Sequence, residues 1–106
     1  MRFKVIVMPS AEEDIKGIIR YISADLQNPK AALEHFELFN EALKSLEMMS
    51  KRNPISKLDV LRQRHLRLLP MGNYDAIYRV FEDSSTVEVY RVLYGRMDLE
   101  KEMGFE

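Results

Sequence analysis

Cysteine and tryptophan are absent from this chain of 106 residues, and glycine and proline occur only four times each. Without cysteine there is no disulfide framework, no thiolate metal site and no thiol redox chemistry, which agrees with a reducing compartment. No stretch approaches the roughly 18 apolar residues that cross a bilayer, and the apolar part of MRFKVIVMPS is too short for a secretory signal. A cytoplasmic protein with no membrane association is expected. Acidic and basic groups nearly cancel, leaving a net charge of −1 and no global attraction to nucleic acid. The sequence has no Gly-rich phosphate loop, no His-Glu-x-x-His helix and no Gly-x-Ser-x-Gly elbow, which argues against the chemistries those motifs serve. With His35 and His65 as the only histidines, and no ligand-spaced partners near His35, neither a metal nor a cofactor is expected.

What is present is a run rich in Val, Ile, Tyr and Phe. Residues 65–69, 74–82 and 86–94 read as three strands, separated by the turn residues Pro70-Met71-Gly72-Asn73 and Asp83-Ser84-Ser85, and so as an antiparallel meander. Period two puts Tyr74, Ala76, Tyr78 and Val80 on one face, and Asp75, Ile77, Arg79 and Phe81 on the other. Uninterrupted alternation in the third strand sets Val87, Val89, Arg91 and Leu93 against Glu88, Tyr90, Val92 and Tyr94. Both faces carry apolar residues, so one is expected under helices and the other open and partly polar.

Before the meander, residues 1–8 read as a strand ended by Pro9. Ser10-Ala11-Glu12-Glu13 has the form of a capping box, with Ser10 as the cap of a helix whose stripe is Ala11, Ile15, Ile18, Ile19, Ile22 and Leu26. Asn28-Pro29 opens a second helix, with the stripe Ala32, Phe36, Phe39, Leu43, Leu46 and Met48 or Met49. The two form an antiparallel hairpin with core-facing stripes, and His35 flanks one of them. Residues 50–64 lose the helical period and read as a loop with at most a short turn. A tail after Gly95 reads as a turn or two of helix. The fold class is therefore α+β: one domain over 1–106, with a four-stranded sheet and a helical hairpin on one face.

Charge is unevenly placed. Residues 51–98 hold nine Lys/Arg against six Asp/Glu, and most of the cations are arginines: Arg62, Arg64, Arg67, Arg79, Arg91 and Arg96 among them. Guanidinium forks suit phosphate and stack on rings, so an anionic partner is expected here; a solvated surface of mixed charge is the alternative. For acid or base work the one histidine placed in this region is His65.

Three segments then resemble the RelE/ParE superfamily of bacterial toxins from type II toxin-antitoxin modules. They are Arg67-Leu68-Leu69-Pro70-x-Gly72-Asn73-Tyr74, Ile77-Tyr78-Arg79-Val80 and Arg91-Val92-Leu93-Tyr94-Gly95-Arg96-x-Asp98, and Pro9 to Ile15 with Tyr21-Ile22 resembles the family's first helix. The resemblance covers nearly the whole chain. It implies a growth-inhibiting toxin, of the kind associated with plasmid stabilisation, and a cognate antitoxin as partner.

Two targets are implied, DNA gyrase for ParE-like members and messenger RNA in the ribosome for RelE-like nucleases. Cleavage needs a base for the 2′-hydroxyl, an acid for the leaving oxygen and cations for the phosphate. The resemblance matches Arg67 and Arg96 to basic positions of the nucleases, with His65 and Tyr94 as acid and base candidates. Arg62, Arg64, Arg79 and Arg91 are the target-binding candidates. Asp75 stands where RelE has an arginine and Met103 near where it has a tyrosine, and both departures favour the ParE-like branch. A third reading is a binding module that keeps the fold and the antitoxin contacts without activity. Other roles compete at single residues: packing for Tyr74 and Tyr78, ion pairs to Asp75, Glu82 or Glu88 for Arg79 and Arg91, and a local contact to Asp98 for Arg96.

Overall fold

Alternating Phe3, Val5 and Val7 drive the first strand, β1 (Lys4–Val7), and the chain passes from it directly into α1 (Pro9–Arg20). A computed structural model describes residues 2–57 and 59–95, with the backbone alone for Asp59 and Val60. The expected C-terminal tail, with Arg96, Asp98 and Met103, lies outside the described residues.

The helix start differs from the expected capping box. Met8 is the cap: its N–H donates to the Val89 carbonyl, and its own carbonyl accepts from Glu12 N–H at 3.0 Å. Pro9 is the first helical residue, where a missing N–H costs nothing, so it begins the helix as well as ending the strand. Ser10 has no capping role because the helix has started before it.

After Arg20 the helix widens into a π turn over Tyr21–Asp25, with Leu26 N–H reaching Tyr21 O at 3.0 Å, and Gln27 at φ 51° ends it. The second helix, α2 (Pro29–Ser45), starts as expected, with Asn28 Oδ1 accepting from Ala31 N–H at 3.1 Å. Its inward stripe is Ala32, Phe39, Leu43 and Leu46, whereas Phe36, Met48 and Met49 are exposed.

The sheet runs β1-β4-β3-β2, where β2 is Arg67–Met71, β3 Tyr74–Phe81 and β4 Thr86–Tyr94. The meander is antiparallel and β1 joins β4 in parallel, the helical hairpin forming the crossover that a parallel pair requires. Gly72 turns β2 into β3 at φ 67°. Pro70 belongs to β2 rather than to the turn, at a sheet edge where a missing donor is tolerated.

The alternation expected along β4 is broken. Ile77 pairs with Arg91 but Tyr78 pairs with Val89, so Tyr90 is a bulge residue. Val92 thereby returns to the face of Val87 and Val89. That face, with Phe39, Leu43, Leu46, Leu69, Met71, Ala76 and Tyr78, is the main core under α1 and α2. Tyr90 and Leu93 go to the opposite face.

The opposite face is only partly open. Residues 59–63, expected as loop, form α3 (Asp59–Gln63), and Leu61 and Leu66 pack on Ile77 and Leu93 to make a second apolar cluster. His65 is the left-handed residue that ends α3, at φ 59°, not the first residue of a strand. Leu66 N–H returns to Leu61 O at 2.9 Å and His65 N–H to Arg62 O at 3.0 Å, the two bonds of a Schellman ending, and the apolar pair Leu61 and Leu66 closes it.

Candidate target-binding site

The bulge and α3 together shape a groove on the partly open face. It is lined by Arg64, Leu66, Arg79 and Tyr90 and holds about 290 Å³. Arg64 follows α3, Arg79 comes from the middle of β3, and Tyr90 reaches this face by alternation from the core-facing Val87 and Val89, while the bulge brings Leu93 to the same face. Among the described residues no ion pair involves Arg64 or Arg79. The Arg79 guanidinium lies 4.8 Å from the ring centre of Phe81, two residues along the same face, a contact that leaves its charge in place. Glu88 is directly across from Arg79 in the sheet and accepts the Tyr90 hydroxyl at 2.8 Å. Burial first, then the hydrogen bond to Glu88 and its charge, push the Tyr90 hydroxyl up to about 12, so it is a donor and no base at neutral pH. The groove therefore offers two guanidinium forks, a hydroxyl and an apolar floor. It suits binding of an anionic surface.

The remaining candidates are dispersed. Arg62 is exposed on α3 and is not among the groove's described lining residues. Arg67 alternates with Leu69 and Met71 onto the helix-covered face, where its Nη1 donates to Asn53 O at 2.6 Å. Beside it the buried Tyr78 hydroxyl donates to Ser50 O at 3.0 Å and accepts from Asn53 Nδ2 at 3.3 Å. Arg67 and Tyr78 thus pin the loop 50–53. Tyr94 ends β4 on the far side of the sheet, with its ring 5.2 Å from that of Tyr74, while Tyr74 and Arg67's partner Tyr78 are four residues apart on β3, about 13 Å. Arg91 meets neither groove cation: its fork grips Asp14 of α1, through Nε at 2.7 Å and Nη2 at 3.0 Å. His35, as expected, flanks the core; its Nδ1 donates to Ala31 O at 2.9 Å, and its ring stands edge-on to Phe39 and Tyr74.

Asp75 lies on the partly open face between Pro70 and Leu93 of the neighbouring strands, and burial raises its carboxyl above the usual range. Among the described residues no group of three or more His, Cys, Asp or Glu could hold a metal ion, and no described helix is long and apolar enough to cross a membrane.

Residues 5–99 match the family model of the ParE toxin of the type II toxin-antitoxin system parDE. The chain belongs to the ParE toxin family. Solved structures give the same fold. A chain of the chromosomal ParDE toxin-antitoxin system from P. aeruginosa superimposes with TM-score 0.70 at 17% identity, covering 90% of this chain and 98% of that one. The RelBE2 toxin-antitoxin complex from Mycobacterium tuberculosis gives 0.61 at 18%, covering 89% and 99%. The archaeal RelE-RelB complex from Pyrococcus horikoshii gives 0.57 at 17%, covering 89% and 96%. A search of curated protein sequences gave no match.

Within this ParE fold His65 has a separable backbone role. A side chain in the left-handed region costs about 1 kcal/mol that glycine does not, so His65→Gly is expected to raise unfolding stability by about that amount, read as a higher urea midpoint. A lowered midpoint would mean that the exposed imidazole holds the α3 ending by contacts of its own. The same variant, assayed for growth inhibition, reports whether the imidazole takes part in activity.

Proposed function

We propose that this chain is the toxin of a type II toxin-antitoxin module that arrests growth by binding DNA gyrase through the Arg64, Arg79 and Tyr90 groove, and that a cognate antitoxin neutralises it. The observation carrying this reading is a groove whose described residues supply cations and a neutral hydroxyl but no paired base and acid. Such a site can hold an anionic surface, and the one described carboxylate beside it, Glu88, accepts the Tyr90 hydroxyl rather than standing open as a base. The spread of His65, Arg67 and Tyr94 over three parts of the fold supports the same conclusion against messenger RNA cleavage. Asp75, a carboxylate where a nuclease needs a cation, adds to it.

The test uses purified chain in two assays: gyrase supercoiling of relaxed plasmid, and translation by ribosomes with a labelled messenger. Supercoiling is expected to fall, or cleaved plasmid to accumulate, while the messenger stays intact. In Arg64→Ala/Arg79→Ala the inhibition should weaken about tenfold or more, since two always-charged forks are lost. Its stability should stay within about 1 kcal/mol of the parent, because among the described residues neither arginine is in an ion pair and only the Arg79 contact with Phe81 is lost. Cleaved messenger with active gyrase would move the chain to the nuclease branch. No effect in either assay would leave an antitoxin-binding module without activity.

A further inference from the structure

Phe36 has the period of the core stripe of α2, yet it is 45% exposed, and Leu33, three residues before it on the same helix, is 57% exposed. Phe36 is one wall of a groove of about 350 Å³ between the two helices, lined otherwise by Ile15, Lys16, Ile19, Arg20 and Ser23. Ile15 and Ile19 pack against the main core from its edge, so the groove is where that core reaches the surface. With Leu33 it makes an apolar strip along the outside of the hairpin, on the helix-covered side of the sheet and away from the cationic groove.

The charges beside this strip alternate in sign. On α1, Glu12, Lys16 and Arg20 are exposed at spacings of four and so share one side; on α2, Leu33, Glu37 and Lys44 are exposed and share one side in the same way. Among the described residues Glu12, Arg20, Glu37 and Lys44 are in no ion pair, and Lys16 has only a 3.9 Å contact with Glu13 between exposed ends. Because Phe36 and Lys16 line one groove, Glu37 is at the level of Lys16 along the hairpin. The helices run in opposite directions, so Lys44 lies further towards the end that holds Glu12.

This arrangement is complementary to itself. A second copy turned by half a rotation about an axis along the hairpin lays each α1 on the other copy's α2 and keeps every residue at its own level. Lys16 then meets Glu37 of the second copy, Glu12 is brought towards Lys44 of the second copy, and each pair occurs twice. The size of the face sets the strength. Helices of 12 and 17 residues are about 18 and 25 Å long and about 10 Å wide, which gives on the order of 500 Å² per copy. A total of about 1,000 Å² is at the low end for a specific interface, so the pair is expected to be in equilibrium with single chains at micromolar concentration.

We propose that the outer face of the α1 and α2 hairpin is a self-association surface, on which a second copy of this chain docks about a twofold axis, with Leu33 and Phe36 against the facing groove and Lys16 paired with Glu37 of the second copy. The cationic groove is on the other face of the sheet and stays open in both copies.

The experiment is sedimentation velocity on the full chain from about 2 to about 500 µM, for the parent, Phe36→Ser, Lys16→Glu, Glu37→Lys and the double variant Lys16→Glu/Glu37→Lys. All three positions are exposed, so every variant is expected to fold, which circular dichroism and thermal melting check. The parent should pass from the mass of one chain to that of two across this range. Phe36→Ser and each single charge reversal should weaken association about tenfold or more, since symmetry counts each loss twice. The double variant exchanges the signs across the interface and should return to within about threefold of the parent. A parent that stays at the mass of one chain throughout overturns self-association and leaves the face to a partner of another sequence. A parent that pairs equally well with folded Phe36→Ser and with both single reversals overturns the assignment to this face. Weakened single reversals with no recovery in the double variant overturn the Lys16 and Glu37 pairing and the twofold arrangement built on it.

Discussion

Phe39→Ala is expected to lower unfolding stability by about 3–5 kcal/mol, the cost of emptying a fully buried aromatic site. Phe39 is 0% exposed and packs where α2 crosses the sheet, its ring edge-on to Tyr74 at 5.5 Å and to His35 at 6.1 Å. Nothing nearby can close the gap cheaply. Tyr74 leans on Tyr94, and His35 is held by its bond to Ala31 O. Against the roughly 5–15 kcal/mol of a domain this size, the loss should lower the melting temperature by about 15–25 °C. Urea unfolding of the parent and the variant measures it, with Phe39→Leu as the volume-sparing control that should cost about half or less. A loss under about 1.5 kcal/mol for Phe39→Ala would mean that α2 can settle onto the sheet without this ring.

Phe39 was legible from the sequence because local period and burial agree there, as they do for Leu43, Leu46 and Asn28-Pro29. The four-stranded sheet under a helical hairpin was legible for the same reason, since each element carries its own pattern. Three features were not. The β4 bulge has no local signature: Thr86–Tyr94 is a run of good strand formers, and what displaces Tyr90 is the long-range register set by β3 and α1. The α3 ending was hidden because histidine stands where glycine would have announced it. Its remaining signal was the pair Leu61 and Leu66, five residues apart, which the loop reading of 50–64 passed over. Pro9 could be read as the end of a strand or the start of a helix, and it is both.

The bulge also divided the arginines. Spacing along the sequence treated Arg79 and Arg91 as equivalents on adjacent strands, paired across the sheet if at all. Instead Arg79 remains on the groove side over Phe81, and Arg91, beside the bulge residue, turns to α1. Adding charges along a segment does not find a site. The patch forms where chain geometry leaves cations without acids, and here that depends on which of two neighbouring strands is kinked.

Asp14→Ala is the second large effect, expected to cost about 2–4 kcal/mol. β1 stops at Val7, whose partner is Val89, so from Tyr90 onward no described strand lies beside that edge of β4. Asp14 takes its place: Oδ2 accepts from Val92 N–H at 2.9 Å and from Arg91 Nε at 2.7 Å, and Oδ1 accepts from Arg91 Nη2 at 3.0 Å. The side chains are 16% and 26% exposed, which places the cost of breaking the pair below the roughly 3–5 kcal/mol of a fully buried one, and the unsatisfied Val92 amide adds to it. Asp14→Asn keeps an acceptor for that amide and should cost less than Asp14→Ala. A double-mutant cycle with Arg91→Met should return a coupling of about 1–3 kcal/mol, and hydrogen exchange at Val92 should quicken in Asp14→Ala ahead of the core amides. A coupling near zero with unchanged exchange would mean that the edge of β4 holds without its carboxylate, and that something other than Asp14 turns Arg91 away from the groove.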